Sequence, residues 1–228
     1  MCSSNWVREG LCSFMAATGL WCVMTGGAVW AEPLSEFPLG AKWTTEHKVK
    51  SLVGPSVQVD EQGQVSLAWM EEDKDVRSVL YARSTEPGGP MGAPVRINRP
   101  EDVPYWRQEA PALVVQGEDV FVTWGLAHPK ATPQQPFATE LRLSRSTDGG
   151  KTFQPSVAVN DDPGVIQHTF DALHRDADGR LHLSWIDGRE GKKEPGTYVA
   201  RSLDRGETIT RNLKVDEGTC VCCRTAVT

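Results

Sequence analysis

The sequence of 228 residues lacks an excess of positive charge, since 24 Lys and Arg stand against 30 Asp and Glu and the net charge is −6. A negative chain gains no general attraction to phosphate backbones or anionic lipid, so we expect no nucleic-acid partner. The sequence also lacks a convincing helical period. With 39% hydrophobic and 24% charged residues, its composition is that of a globular protein rather than a disordered or polytopic membrane one.

The first 31 residues are poor in charge. They contain only Arg8 and Glu9, followed by a mostly apolar run from Leu11 to Met24 and a small residue at Ala31. This pattern predicts a secretory signal peptide over residues 1–31, and therefore a secreted or periplasmic protein without membrane contact after cleavage. The alternative is an uncleaved anchor helix, but the run is interrupted and short for a bilayer span of about 20 apolar residues.

Cysteine is scarce in the chain that follows the predicted cleavage point, where only Cys220, Cys222 and Cys223 remain. No distant cysteine is present to cross-link the fold. Three interpretations stay open: thiolates that bind copper or zinc, with His168 as a fourth ligand; a local disulfide beside one thiol; or pairing with a cysteine in a missing part of the protein.

One pattern recurs three times along residues 32–228, at a shift of 55 to 62 residues. Each copy begins with an apolar segment, a polar turn and an alternating strand that ends in Trp69, Trp124 or Trp185. A second half adds a strand ending in Ser, a Gly-rich turn and a closing Val-rich strand, which in the third copy is weaker and covers Ile209–Val215. Alternation with period two is typical of half-buried strands, so each copy predicts four antiparallel strands.

Units of four antiparallel strands and roughly 56 residues have the size of β-propeller blades. The fold class predicted from the repeat is therefore all-β, a partial propeller of about three four-stranded blades plus the start of a fourth.

Three Gly-containing turns carry a family resemblance. Residues 146–153 read Ser-Thr-Asp-Gly-Gly-Lys-Thr-Phe, which resembles the Asp-box (Ser-x-Asp-x-Gly-x-Thr-Trp/Phe) of sialidases and of bacterial neuraminidase repeat (BNR) proteins. Residues 202–209 are similar but lack the aromatic residue, and residues 84–88 are a more divergent copy. Within such a turn the Asp accepts backbone hydrogen bonds and Gly supplies a positive φ.

The resemblance implies an exported, glycan-directed propeller similar to exo-alpha-sialidases, a group of glycoside hydrolases with six blades. It also implies that residues 32–228 are an incomplete propeller, because residues 223–228 align with the opening of a fourth unit. The catalytic half would then be missing and this fragment inactive alone. Closure by association of partial propellers is the alternative.

In the resembling family the Asp-box lies on the face away from the active site, so we expect ligand-binding residues in the loops at the other end of the blades. A sialidase holds the sugar carboxylate with arginines, a role open to Arg107, Arg189 and Arg224. Asp187 or Glu109 is the candidate acid, and the nucleophile is unassigned. The expected partner is an acidic glycan.

Each candidate also has a purely structural interpretation. Asp187 and Arg189 pair to shape their own loop, or contact a ligand. Trp106, between Tyr105 and Arg107, stacks on a sugar ring or caps the channel. His168 is a hydrogen-bonded loop histidine, or a ligand or acid. The second functional hypothesis is a non-catalytic exported propeller that serves as a binding scaffold or, through the cysteine cluster, as a metal-linked module.

Overall fold

A computed structural model describes residues 51–105, 110–191, 195–220 and 223–228, and within these ranges it contains twelve strands and no helix. The described part of the chain therefore offers no helix that could span a bilayer. The strands are β1 (Ser51–Val59), β2 (Val65–Asp73), β3 (Val76–Arg83), β4 (Val95–Arg96), β5 (Ala112–Gln116), β6 (Asp119–Ala127), β7 (Thr139–Ser146), β8 (Val157–Ala158), β9 (His168–Arg175), β10 (Leu181–Asp187), β11 (Gly196–Ser202) and β12 (Leu213–Asp216).

The twelve strands form three antiparallel sheets of four consecutive strands each, which confirms the predicted fold class. We call them blade 1 (β1–β4), blade 2 (β5–β8) and blade 3 (β9–β12). Strand order in each sheet follows the sequence, as in a simple meander. The closing strands are short: β4 and β8 have two residues each and β12 has four.

The two larger parts of the core lie between blades, and a third, smaller cluster lies within blade 1. One apolar cluster joins Met70 and Tyr81 of blade 1 to Trp124 of blade 2, and a second joins Leu143 of blade 2 to Trp185 of blade 3. Burying one such side chain stabilises a fold by about 1.5–3 kcal/mol. Because blade 2 has a neighbour on both sides, β6 is buried on both faces over its first six residues, whereas the sequence predicted a half-buried strand.

The innermost strands β1, β5 and β9 lie side by side and are linked by polar side chains. Ser56 of β1 donates a hydrogen bond to the carbonyl of Pro111, just before β5. Gln58 Oε1 accepts one from the backbone N–H of Val115, at 2.6 Å. Thr123 of blade 2 donates to the carboxyl of Asp171 in β9. These links place the three sheets radially, as consecutive blades of a partial β-propeller.

The turn over residues 146–153 is closed by its own polar side chains. Ser146 Oγ accepts from the Gly150 N–H at 2.9 Å and donates to Asp148 Oδ1 at 2.6 Å. Asp148 also accepts from the backbone N–H and the hydroxyl of Thr152, at 2.9 and 2.6 Å. The hydrogen bonds from Ser146 and Thr152 hold the pKa of Asp148 well below its usual range.

The turn over residues 202–209 repeats this pattern. Ser202 Oγ accepts from the Gly206 N–H at 2.7 Å, and Asp204 accepts from the N–H and hydroxyl of Thr208 at 2.9 and 2.5 Å. The Thr208 hydrogen bonds lower the pKa of Asp204 to about 2. We call residues 146–153 and 202–209 the box turns. Each box turn has the same pattern of internal hydrogen bonds, and the two turns lie at equivalent places in blades 2 and 3.

The predicted opening of a fourth unit does not form a strand in residues 223–228. Thr225 nevertheless binds along blade 3, since its Oγ1 donates to the Phe170 carbonyl at 2.7 Å and its N–H donates to the same oxygen at 3.2 Å. The Ser184 hydroxyl donates to Thr225 Oγ1 at 3.0 Å. This segment therefore lies against the inner strand of blade 3.

Candidate functional site

The loops opposite the box turns gather at one end of the blades, which we call the loop end. The Tyr105 N–H donates to the Gly125 carbonyl at 2.7 Å, which joins the loop before β5 to the end of β6. Gln135 Nε2 donates to Val165 O at 2.7 Å, so the β6–β7 loop of blade 2 contacts the loop before β9. Loops from two blades thus build one surface.

Asp187 and Arg189, two predicted ligand-binding residues, are bound to each other in blade 3. Arg189 Nη2 lies 2.8 Å from Asp187 Oδ2 and its Nε lies 3.1 Å from Oδ1. The indole N–H of Trp185 donates to Asp187 Oδ2 at 2.9 Å. The Asp187 side chain has no solvent exposure. Both carboxylate oxygens are therefore engaged inside the protein.

The guanidinium of Arg189 has further partners. Its Nη1 donates to Asp161 Oδ1 at 2.8 Å, and its carbon lies 4.2 Å from the centre of the Tyr198 ring. Burial opposes the charge of Arg189, but the hydrogen bonds that its guanidinium donates to Asp187 and Asp161 outweigh this effect and raise the arginine pKa above its ordinary value. The arrangement fixes the loop after β10 to the loop before β9.

His168 lies in the same network and its ring is fully buried. Nδ1 lies 2.5 Å from the Thr139 carbonyl and Nε2 lies 2.7 Å from Asp162 Oδ2. Burial alone would lower the pKa of His168, but the Asp162 hydrogen bond and the Asp187 charge raise it above 6.5. Burial likewise opposes the charge of Asp162, yet His168 lowers the pKa of that carboxyl to about 2.

The donor atoms of Asp162, His168 and Asp187 lie within 4.8 Å of one another, a spacing that a metal ion could bridge. A guanidinium already fills this role, because Arg189 Nη2 lies 3.4 Å from Asp162 Oδ2 and 2.8 Å from Asp187 Oδ2. The two His168 ring nitrogens are also engaged with protein oxygens. The cluster is therefore a buried ion-pair network that needs no metal.

Arg224 lies apart from this network, beside the innermost strands. Its side chain is exposed, and its Nε and Nη2 donate to the carbonyls of Asp171 at 3.3 Å and Ala110 at 3.1 Å. Together with Ser56 and Gln58 of β1, Arg224 lines an open cleft of about 260 Å³. We call this the axial cleft. It places one guanidinium and several polar side chains at the inner edge of three blades.

Asp171 lines the same cleft and was not among the site residues predicted from the sequence. Burial raises the pKa of this carboxyl above its usual range, although the Thr123 hydroxyl and the Arg224 charge act in the opposite direction. The repeat alignment places Asp171 at the position of Pro55 and Pro111. An acidic residue at a Pro position of the repeat was the signal that could have identified it. Asp161 and Asp162, the other missed residues, carried no such signal.

The remaining predicted residues have mixed outcomes. Trp106, Arg107, Glu109 and Cys222 lie outside the described residues. Cys220 and Cys223 are exposed on one turn, in which the Cys223 N–H donates to the Cys220 carbonyl at 3.3 Å. The structure thus brings Asp187 and Arg189 together and places Arg224 elsewhere, next to the innermost strands.

No family model matches the sequence, and no curated protein matches it. Among solved structures, the chain is similar to an endo-arabinase from Bacteroides thetaiotaomicron VPI-5482, with 16% identity and a TM-score of 0.46 over 73% of this chain and 61% of that one. It is similar to a Penicillium chrysogenum alpha-L-arabinanase complexed with arabinobiose, with 12% identity and a TM-score of 0.48 over 72% of this chain and 45% of that one. It is also similar to a Trypanosoma rangeli sialidase in complex with the inhibitor DANA, with 13% identity and a TM-score of 0.49 over 75% of this chain and 32% of that one.

The chain thus spans less than two thirds of the length of each of these proteins. At identities of 12–16% and TM-scores below 0.5, these likenesses assign no activity and no ligand to the chain.

Proposed function

We propose that this chain is an exported, sialidase-related propeller that binds an acidic glycan at the axial cleft. The observation that carries the proposal is the exposed guanidinium of Arg224 beside Ser56 and Gln58. Two of its nitrogens are fixed by the Asp171 and Ala110 carbonyls. A guanidinium held in this way presents its remaining donors to a sugar carboxylate, and neighbouring hydroxyl and amide groups suit sugar hydroxyls.

The proposal extends to binding and not to hydrolysis. The candidate acid Asp187 has no solvent exposure, and its oxygens accept hydrogen bonds from Trp185 and Arg189. A carboxyl group in this position cannot reach a glycosidic oxygen. Asp187 therefore does not fit the role of the acid, and Glu109, the other candidate, lies outside the described residues.

Isothermal titration calorimetry tests the proposal. N-acetylneuraminic acid should bind, and the neutral sugar N-acetylglucosamine should bind more weakly. Arg224→Ala should weaken binding of the acidic sugar roughly 10- to 100-fold, because a hydrogen bond to a charged group contributes about 1.5–3 kcal/mol. Arg211→Ala is the matched control, since Arg211 is an exposed arginine before β12. Absence of binding, or equal affinity in the Arg224 variant, would refute the proposal.

Export is a separate part of the proposal and has its own test. The mature protein, recovered after expression in a secreting bacterium, should begin at Glu32, because Ala31 provides the small residue that signal peptidase requires. N-terminal sequencing measures this directly. A mature protein that still begins at Met1 would contradict export by cleavage.

The second candidate function is a metal-linked binding module. The observation in its favour is the exposed turn that carries Cys220 and Cys223. Elemental analysis of the purified protein, compared with a Cys223→Ser variant, should then find copper or zinc in the wild type and less in the variant. A metal-free wild-type protein would remove this candidate.

A further inference from the structure

A second, larger cleft of about 470 Å³ lies at the loop end. Its described lining residues come from the β6–β7 loop, the loop before β9, the first strands of blade 3 and the β10–β11 loop. The apolar walls include Phe137, Val165, Ile166 and Ile186. We call this the loop cleft. It shares no described lining residue with the axial cleft, so the two are separate sites.

None of the described residues that line the loop cleft is charged. Its polar lining side chains are Gln135, Gln167 and Thr169. The nearby charges of Asp187 and Arg189 are bound to each other and do not line the cleft. An ionised ligand would lose its hydration here without gaining a counter-charge from the described lining. The described walls therefore favour a neutral ligand.

Thr169 of β9 supplies a hydrogen-bonding group that the fold does not use. The residue is 2% exposed, and its hydroxyl oxygen is buried without a hydrogen-bond partner among the described residues. A neighbouring threonine differs: Thr139 Oγ1 donates to the His168 carbonyl at 2.7 Å and accepts from the His168 N–H at 2.8 Å. Buried hydroxyls are normally paired, so the unpaired one marks a place for a polar ligand atom.

Contacts between loops hold the cleft open in its present shape. Gln135 Nε2 donates to the Val165 carbonyl at 2.7 Å, and the Thr139 N–H donates to Ile166 O at 2.8 Å. These bonds fix the blade 2 wall against the loop before β9. The volume of about 470 Å³ lies within the usual range for small-molecule sites, about 300–1,000 Å³.

We propose that the loop cleft binds a neutral small molecule that has an aromatic or aliphatic body and one hydrogen-bonding group placed near Thr169. The volume of the cleft limits the size of the ligand, the absence of charge on the described lining residues favours a neutral one, and the unpaired Thr169 hydroxyl provides its polar contact. The site is independent of the axial cleft and of any glycan bound there.

A matched pair of fluorescent probes tests the proposal on the full chain. N-phenyl-1-naphthylamine is neutral and carries one N–H, whereas 1-anilinonaphthalene-8-sulfonate has the same aromatic body with a negative charge. Fluorescence titration should show saturable one-site binding of the neutral probe, at least tenfold tighter than binding of the sulfonate. Equal affinity for the two probes, or no saturable binding of the neutral one, would overturn the proposal.

Two substitutions locate the bound probe. Val165→Trp introduces a large side chain from a half-buried wall position and should abolish binding, whereas Leu203→Trp, at a residue 67% exposed in a box turn, should leave it unchanged. Phe137→Ala, at a residue 41% exposed, is a second wall variant that removes contact area without overfilling the core. Unchanged binding in the folded Val165 and Phe137 variants would place the probe elsewhere and contradict the assignment.

The unpaired state of the Thr169 hydroxyl can be tested in the protein without ligand, by measuring the thermal midpoint of unfolding. Thr169→Val should keep or raise the thermal midpoint because it removes an unpaired buried hydroxyl, and it should weaken the neutral probe several-fold. Thr139→Val should lower the midpoint because it leaves the His168 backbone groups unpaired. If both variants lose the same stability, the Thr169 hydroxyl has a partner in the fold and this part of the proposal is wrong.

Discussion

At the scale of single residues, blade 3 and the loop before it contain a largely buried network of four charged groups. His168 Nε2 lies 2.7 Å from Asp162 Oδ2 and 3.6 Å from Asp187 Oδ2, and Arg189 Nη2 lies 3.4 and 2.8 Å from the same two oxygens. Isolated buried charges would be strongly destabilising, but each of these is paired with at least one opposite charge. Their mutual contacts make the network sensitive to the protonation of its one histidine.

The protonation of His168 leads to a prediction about pH. Since its pKa is raised above 6.5, the charged ring contributes stability fully below pH 6.5, and that contribution is lost as the pH rises through the raised pKa. NMR titration should therefore report a His168 pKa above 6.5, and the free energy of unfolding should fall on the alkaline side. Asp162→Asn should lower the pKa of His168 and reduce this fall.

The control for this titration is Asp178→Asn, because Asp178 is a carboxylate with 66% side-chain exposure in a hairpin turn of the same blade. It should leave the His168 pKa unchanged. A wild-type value at or below 6.5 would mean that burial outweighs the two carboxylates.

The pattern Trp185-Ile-Asp-Gly-Arg189 left two interpretations open, a pair that shapes the loop or contact with a ligand, and the structure shows Asp187 and Arg189 paired. It could not identify Asp161 as a third partner, because the contact depends on how the loop before β9 folds over the loop after β10. Contacts between side chains of distant loops leave no periodic pattern in the sequence. For the same reason, neither Thr169 nor the loop cleft could be predicted.

At the scale of elements, the strands that were easiest to predict are those with a buried face. Period-two alternation identified β2, β6 and β10, whose alternate residues pack against neighbouring blades. The closing strand of blade 3 was predicted over Ile209–Val215 but forms only over Leu213–Asp216, where all four residues are exposed. An exposed outer strand has few apolar positions, and its sequence therefore gives a weak signal.

The box turn of blade 2 gives a prediction about glycine. A Cβ at Gly150 would lie 2.0 Å from Tyr81 Cε1 in blade 1, at a φ of +85°. Gly117 is the matched control, since it has a φ of +61° and no atom within 4 Å of an added Cβ. Gly117→Ala should lower the free energy of unfolding by about 1–2 kcal/mol, because alanine is strained in a left-handed backbone conformation. Gly150→Ala should cost about 1–3 kcal/mol more, because the methyl group displaces the Tyr81 ring.

Urea denaturation of the two glycine variants measures the difference. Equal losses of unfolding free energy would show that the turn of blade 2 does not pack tightly against blade 1. A larger loss at Gly150 would support a role for the box turn as a contact between blades, in addition to its role as a turn within one.

At the scale of the whole molecule, the blades share their cores. Blade 1 supplies five of the nine buried residues in the cluster around Trp124, and blade 2 supplies five of the ten in the cluster around Trp185. Blade 2 therefore buries apolar side chains on both faces only while both neighbours are folded. The repeat in the sequence predicted the blades. It did not specify which side chains join them, because those contacts form between positions about 56 residues apart.

Because blades 2 and 3 share a core, we expect a substitution that weakens packing in blade 3 to destabilise blade 2 as well. Leu183→Ala, at a residue 1% exposed in the cluster between these blades, should lower the free energy of unfolding by about 2–5 kcal/mol. Hydrogen exchange should then accelerate in β6 as well as in β10, since the two strands lose the same packing. Leu213→Ala, at a residue 60% exposed in β12, should change stability by less than about 0.5 kcal/mol. Faster exchange confined to β10 would mean that the blades unfold independently despite their common core.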